Sequence, residues 1–155
     1  MGKSITQQAR GHGGPAFRVR KQAYRYRIGY PKLSSEGKAK IVKLINSSAH
    51  SSPLAKMKIG DEEFFVPASK GVYEGQEIQI GKREENKSPE NGDIIKLKDI
   101  TQGTNVFNIE VSPGSGAKYI RTAPCSRILM NRDNNGDEII IKRKNKKLNE
   151  NCREI

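Results

Sequence analysis

The sequence has no tryptophan, only two cysteines, and only five Tyr and four Phe among its 155 residues. Hydrophobic residues make up 34%, well under the roughly 45–50% of an ordinary globular chain. One large core is therefore excluded, and small β modules carrying polar segments are expected. Cys125 and Cys152 are too few for a disulfide framework or a four-cysteine zinc site. Both read as free, buried thiols in a reducing compartment. No run approaches the roughly 18 apolar residues of a membrane helix, so no membrane partner is expected. The opening Met1-Gly2-Lys3-Ser4-Ile5-Thr6-Gln7-Gln8 lacks the apolar stretch of a secretory signal.

Acidic residues are missing altogether from positions 1–34, which hold eight Lys and Arg. The whole chain carries 29 Lys and Arg against 17 Asp and Glu, a net charge of +12. Two thirds of that excess thus lies in the first fifth of the chain. Such sorting favours a polyanionic partner. Residues 35–95 are close to neutral, and 96–155 are basic again.

The first segment, Gln7-Gln8-Ala9-Arg10-Gly11-His12-Gly13-Gly14-Pro15-Ala16-Phe17-Arg18-Val19-Arg20-Lys21, shows no helical or strand period. It cannot offset its ordering entropy alone and is expected to order on a partner. It reads either as a nucleic-acid arm or as a solvated tail that binds polyanions non-specifically. In Tyr24-Arg25-Tyr26-Arg27-Ile28-Gly29-Tyr30-Pro31, aromatic and basic residues alternate. Rings that stack on splayed bases beside guanidinium groups that hold phosphates suit RNA. The same tyrosines could equally staple the arm to the following domain. From these patterns Arg10, Arg18, Arg20, Lys21, Tyr24, Arg25 and Arg27 are RNA-binding candidates.

From residue 38 short β patterns recur: 40–45, 55–59, 63–67, 76–80 and 94–97, with turn signals such as Gly60-Asp61 and Asn91-Gly92 between them. The spacing predicts a barrel of about five strands, of the OB type. In Asn105-Val106-Phe107-Asn108-Ile109-Glu110-Val111 the alternation puts Phe107, Ile109 and Val111 on one face. Further strands are predicted at 119–122, 127–130 and 138–142, the last two joined as a hairpin through Asp133-Asn134-Asn135-Gly136. A second small barrel follows.

Catalytic and metal motifs fail on inspection. Asp133–Glu138 lacks the glycine and glutamate positions of a calcium loop. Pro113-Gly114-Ser115-Gly116-Ala117-Lys118 lacks the spacing of a nucleotide loop, yet it could form a backbone nest for one phosphate. His12 and His50 have no acid in sequence reach. No catalytic triad spacing appears, so no enzyme, metal, cofactor or small-molecule substrate is expected. Lys142-Arg143-Lys144-Asn145-Lys146-Lys147 reads either as a phosphate-gripping loop or as a lysine-protected strand edge, and Arg143 joins the RNA-binding candidates.

The ordered set of blocks resembles the family of the second protein of the large ribosomal subunit, in its archaeal and eukaryotic form. It is carried by Gly2-Lys3, Gln7–Gly13, Tyr30-Pro31-Lys32-Leu33, Ser51–Ala55, Gly71–Ile78, Gly103–Glu110, Pro113–Arg121 and Cys152-Arg153. The resemblance implies an all-β protein: an extended basic N-terminal arm at 1–34, an OB-like barrel at 35–95, and an SH3-like barrel at 96–155 whose last part is incomplete. It implies large-subunit rRNA and neighbouring ribosomal proteins as partners, in the cytoplasm on the ribosome. It also implies that Arg121 touches RNA, with Arg10 and Lys118 carried over the same way, and Arg153 joins the RNA-binding candidates. A free two-barrel RNA-binding translation factor is the other reading. Two positions depart from the family pattern. Ala49-His50 stand where a Gly-Arg pair is usual, and Ile141-Lys142-Arg143 stand in place of a Pro-Ser-Gly turn. The family continues past the position of Ile155 with a strand and a basic tail, so peptide-bond formation is not expected of this chain.

Overall fold

A computed structural model describes residues 2, 3, 5, 7, 10–19, 22–81, 89–122, 127–133, 136–141 and 144–155; for 127–133, 136–141 and 144 only the backbone is described. Among the described residues the fold is all-β, as expected, apart from a helical residue at Gln7 and short 3-10 turns at Arg10–His12, Pro15–Phe17 and Leu97–Asp99.

The first sheet is a meander of β1 (Gly37–Ile45), β2 (Leu54–Ile59) and β3 (Glu62–Pro67), with β4 (Glu77–Ile80) returning to the far side of β1. All of its pairings are antiparallel. The pleat, with one bulge in β1, sets its faces. Ala39, Ile41, Ala55, Met57, Phe64, Val66, Ile78 and Ile80 point inward and, with Ile94, form one buried cluster. Gly60 holds φ +55 at the first of the two residues linking β2 to β3. A glycine is favoured there because the mirror-image hairpin turns need positive φ. At Gly92 (φ +102) a Cβ would meet Val72 Cγ1 at 3.0 Å and Ile78 Cδ1 at 3.2 Å, so the 89–94 loop can close over the core only with glycine.

The second cluster gathers Ile95, Leu97, Ile100, Val106, Ile109, Leu148 and Cys152, with Tyr119 and Ile120 against it. Its strands are β5 (Ile95–Lys96), β6 (Asn105–Val106), β7 (Ile109–Glu110), β8 (Ala117–Tyr119), β9 (Arg127–Asp133), β10 (Gly136–Ile141), β11 (Lys144–Leu148) and β12 (Arg153–Glu154). They form a sheet ordered β11-β10-β9-β6 and two strand pairs, β7-β8 and β12-β5. The predicted hairpin is present, with Asp133 opposite Gly136. Cys152 is fully buried in this cluster; Cys125 lies outside the described residues.

Two expectations are corrected. The predicted strand 105–111 is broken: Asn108 takes φ +53 between β6 and β7. Phe107 and Ile109 are buried, but Val111 is 39% exposed, and Val106, Asn108 and Glu110 on the other parity are fully buried. The cause is the segment around β12: Arg153 pairs with Glu110 at 2.9 Å, and Phe107 and Ile155, just past β12, exchange two backbone hydrogen bonds of 2.9 Å. Strand 94–97 also shortens to β5, because Leu97–Asp99 coils into a 3-10 turn.

Candidate nucleic-acid interface

The basic N-terminal segment divides in two. Residues 10–19 form two exposed 3-10 turns, and Arg10 lies 5.7 Å over the Phe17 ring. Residues 26–31 instead run against the folded body. Ile28 bridges Phe65 of β3 in parallel sense, and Gly29 N–H donates to Phe65 O at 3.0 Å. The Tyr26 ring packs on Phe65 at 5.1 Å. Tyr30 Oη–H donates to Asn108 O at 2.5 Å, and Tyr30 packs on the first cluster. Both sequence readings of the tyrosines therefore apply, to different residues. Tyr26 and Tyr30 staple the segment, while Tyr24 is 67% exposed, its edge toward His50 at 6.2 Å.

Arg18, Arg25, Arg27 and Lys118 are exposed. Arg121 is half-buried beyond β8, and its Nε has no hydrogen-bond partner among the described residues. Burial holds its guanidinium below the ordinary arginine range, and Tyr30 acts the other way. Burial, and after it the Arg121 charge, hold the His50 imidazole below its ordinary range. Its Nδ1 shares a 2.9 Å hydrogen bond with Ser47 Oγ. Tyr24, His50 and Arg121 thus form one exposed-to-buried group that the sequence did not connect. Lys146 Nζ sits 5.3 Å over the Tyr119 ring and donates to its hydroxyl at 3.4 Å, which brings Lys146 against β8. Arg20, Lys21 and Arg143 lie outside the described residues.

Arg153 belongs elsewhere. It is 5% exposed, and its Nη2 pairs with Glu110 Oε1 at 2.9 Å while Nη1 donates to Pro31 O at 2.9 Å. Its charge is spent inside the fold, so it leaves the surface set. One amide of the exposed glycine loop is already taken: Gly114 N–H donates to Glu110 Oε2 at 3.3 Å, so the protein's own carboxylate occupies part of the nest read as open to phosphate.

These contacts make Tyr30 the pin between the basic segment and the second cluster. The Tyr30→Phe variant leaves the buried Asn108 carbonyl without this donor. A loss of about 1–3 kcal/mol is expected, read as a lower urea midpoint with an unchanged slope. An unchanged midpoint would contradict it.

A cleft of about 860 Å³ opens between the two clusters, walled by Leu44, Val72, Ile100, Phe107 and Glu154. Burial raises the Glu154 carboxyl to about 8, against a weaker opposing hydrogen bond from Phe107 N–H. Among the described residues, no group of His, Cys, Asp or Glu is arranged to hold a metal ion, and no helix is long and apolar enough to cross a membrane.

No protein-family model matches the chain. Similarity to individual proteins is extensive. The large ribosomal subunit protein uL2 of Hyperthermus butylicus is 35% identical over 137 residues, covering 87% of this chain and 56% of that protein. The uL2 of Sulfurisphaera tokodaii is 32% identical, covering 96% of this chain and 60% of its own length. That of Korarchaeum cryptofilum is 33% identical, covering 99% and 63%. The chain spans about three fifths of the length of the curated relatives it matches. The last of these matches spans nearly the whole chain, and the chain belongs to the family of the large ribosomal subunit protein uL2.

Proposed function

We propose that this chain is a structural constituent of the large ribosomal subunit, in the cytoplasm, that binds and stabilises large-subunit rRNA beside neighbouring ribosomal proteins. It works by contact rather than catalysis. The observation that carries this reading is the exposed basic segment: Arg10, Arg18, Arg25 and Arg27 project from a stretch without an acid, fastened to the body through Tyr26 and Tyr30. The family relationship supports it. In the finer reading, residues 1–34 are an arm, 35–95 an OB-like barrel, and 96–155 an SH3-like barrel. Arg10, Arg18, Arg20, Lys21, Tyr24, Arg25, Arg27, Lys118, Arg121 and Arg143 touch RNA. Basic side chains position the protein, and RNA shape supplies most of the specificity.

Sucrose-gradient sedimentation of a lysate tests this. Co-migration with the large subunit through a high-salt wash is expected. Release to the top of the gradient at moderate salt would instead indicate a free RNA-binding factor. The Arg121→Ala variant is expected to bind large-subunit rRNA about tenfold more weakly at fixed salt. The slope of log affinity against log salt should fall by about one, the signature of one lost phosphate contact. Equal slopes for the two proteins would remove Arg121 from the interface.

A further inference from the structure

The outer face of the first sheet carries an arrangement that strand patterning alone did not reveal. Five lysines occupy it: Lys38, Lys40 and Lys43 on β1, and Lys56 and Lys58 on β2. The register sets Lys40 directly opposite Lys58, and Lys43 directly opposite Lys56. A one-residue bulge between Ile41 and Lys43 restores the alternation, so that Lys43 joins the lysine face. Like charges directly opposite one another destabilise a sheet. A strand pair selected only for stability would place an acid at one member of each pair. The sheet does so one strand over, where Lys58 faces Glu63 and Lys56 pairs with Glu63 at 2.8 Å.

Two carboxylates, Glu63 and Glu77, share the face with the five lysines. Lys38, Lys40, Lys43 and Lys58 have no carboxylate within 4.0 Å among the described residues. Lys38 and Lys40, two residues apart on one strand, lie about 6.6 Å apart. That spacing lets successive lysines serve successive phosphates of one strand. At the border of the ladder, opposite Lys56, stands Phe65, half-buried and capped by Tyr26 with rings 5.1 Å apart. Arg25 and Arg27 flank that ring pair in sequence, and both are exposed. A lysine ladder bordered by half-exposed rings combines the two features of a single-strand platform: a basic groove for the backbone and a surface for bases.

We infer that this sheet face is a second RNA-binding face, in which Lys38, Lys40, Lys43 and Lys58 grip the backbone of a single-stranded or irregular rRNA segment beside the Tyr26–Phe65 pair. The inference rests on the RNA-binding reading above and adds a surface to it. The cross-strand repulsion is relieved when phosphates neutralise the ladder. Counterion release then adds these lysines to the salt dependence of binding.

The test uses the full chain and a transcript of the large-subunit rRNA of Sulfolobus acidocaldarius, whose uL2 is 33% identical to this chain. The first measurement is lysine acylation of the wild-type protein with and without the transcript, read by mass spectrometry. Protection of Lys40, Lys43 and Lys58 is expected, with Lys98 as an exposed reference. The second is the triple variant K40Q/K43Q/K58Q. Its salt slope should fall by about two and its affinity about a hundredfold. Its melting temperature should stay nearly level, because the lost Lys–Lys oppositions are offset by the lost pairings of Lys58 with Glu63 and Lys40 with Glu77. A triple arginine variant should keep the wild-type slope. Unprotected lysines on RNA-bound wild-type protein overturn the inference even if the triple variant folds poorly, as does an unchanged slope. Wild-type protein that fails to bind the transcript overturns the RNA-binding reading itself.

Discussion

Replacing Arg153 with alanine is expected to lower the unfolding free energy by about 3–5 kcal/mol, the usual penalty for leaving a buried charge unpaired. Arg153 and Glu110 are 6% and 0% exposed at their side chains. Glu110 gathers three donors, Arg153 Nη2 at 2.9 Å, Arg153 N at 3.0 Å and Gly114 N at 3.3 Å, and the Arg153 cation supplies the compensating charge. Removing the guanidinium leaves a carboxylate enclosed by neutral amides. It also strips Pro31 O of its 2.9 Å donor and the Tyr30 ring of the cation 5.0 Å from its centroid. Three parts of the chain lose their common partner at once. The double variant R153M/E110L should recover much of the loss, since an apolar pair of similar bulk needs no desolvation of charge. Urea unfolding of the two single variants and the double gives the coupling directly. A single-variant loss under about 1 kcal/mol would show that the pair is not the buried fastening described above.

Stability should decline as pH rises from about 4.5 toward about 8, and Glu154→Gln should flatten that decline. Burial raises the Glu154 carboxyl from 4.5 to about 8 in the folded protein. The folded state therefore holds a proton that the unfolded chain releases earlier. Such a group favours folding fully below its unfolded value, and the contribution is lost as pH climbs through the folded value. The span corresponds to a change on the order of 4 kcal/mol. The described neighbour of the carboxylate is the Phe107 N–H at 3.3 Å, a neutral donor too weak to offset desolvation. The glutamine variant keeps the shape and removes the charge. It should match the wild type near pH 4.5 and exceed it by several kcal/mol near pH 8. Superimposable pH profiles for the two proteins would falsify this account.

The first sheet was legible because its information is local. Apolar and polar residues alternate along β4, along β2 from Ala55 and along β1 as far as its bulge, and Gly60 and Gly92 stand where the turns demand them. The second cluster was legible only in part. Alternation around Phe107 and Ile109 correctly marks them as core, yet it reads Glu110 as solvated. Glu110 is buried because Arg153, 43 residues later, arrives to neutralise it. Nothing within a strand-length window announces that meeting. Arg153 was read as an RNA contact for the same reason: an arginine in a basic chain looks like a surface charge until its partner is located. The lysine ladder shows the reverse case. Each lysine was visible as the wet half of a strand, but the opposition of Lys40 to Lys58 exists only once register is known.

The pairing of β12 with β5 has a consequence for synthesis. Arg153 lies opposite Lys96 and Glu154 opposite Ile95, while Cys152 enters the second cluster and Ile155 touches the first. A chain emerging N-terminus first can complete the first sheet once residue 94 is free, since every strand it needs has by then appeared. The second cluster has no such early option. It waits for a strand almost 60 residues downstream of its first member, and closing so long a loop slows its assembly. Until then Ile95, Leu97, Val106 and Ile109 stay uncovered beside an already finished sheet. The nascent protein thus passes through a half-built stage with an open apolar flank, which is the stage at which a chaperone, or early docking onto RNA, has most to protect.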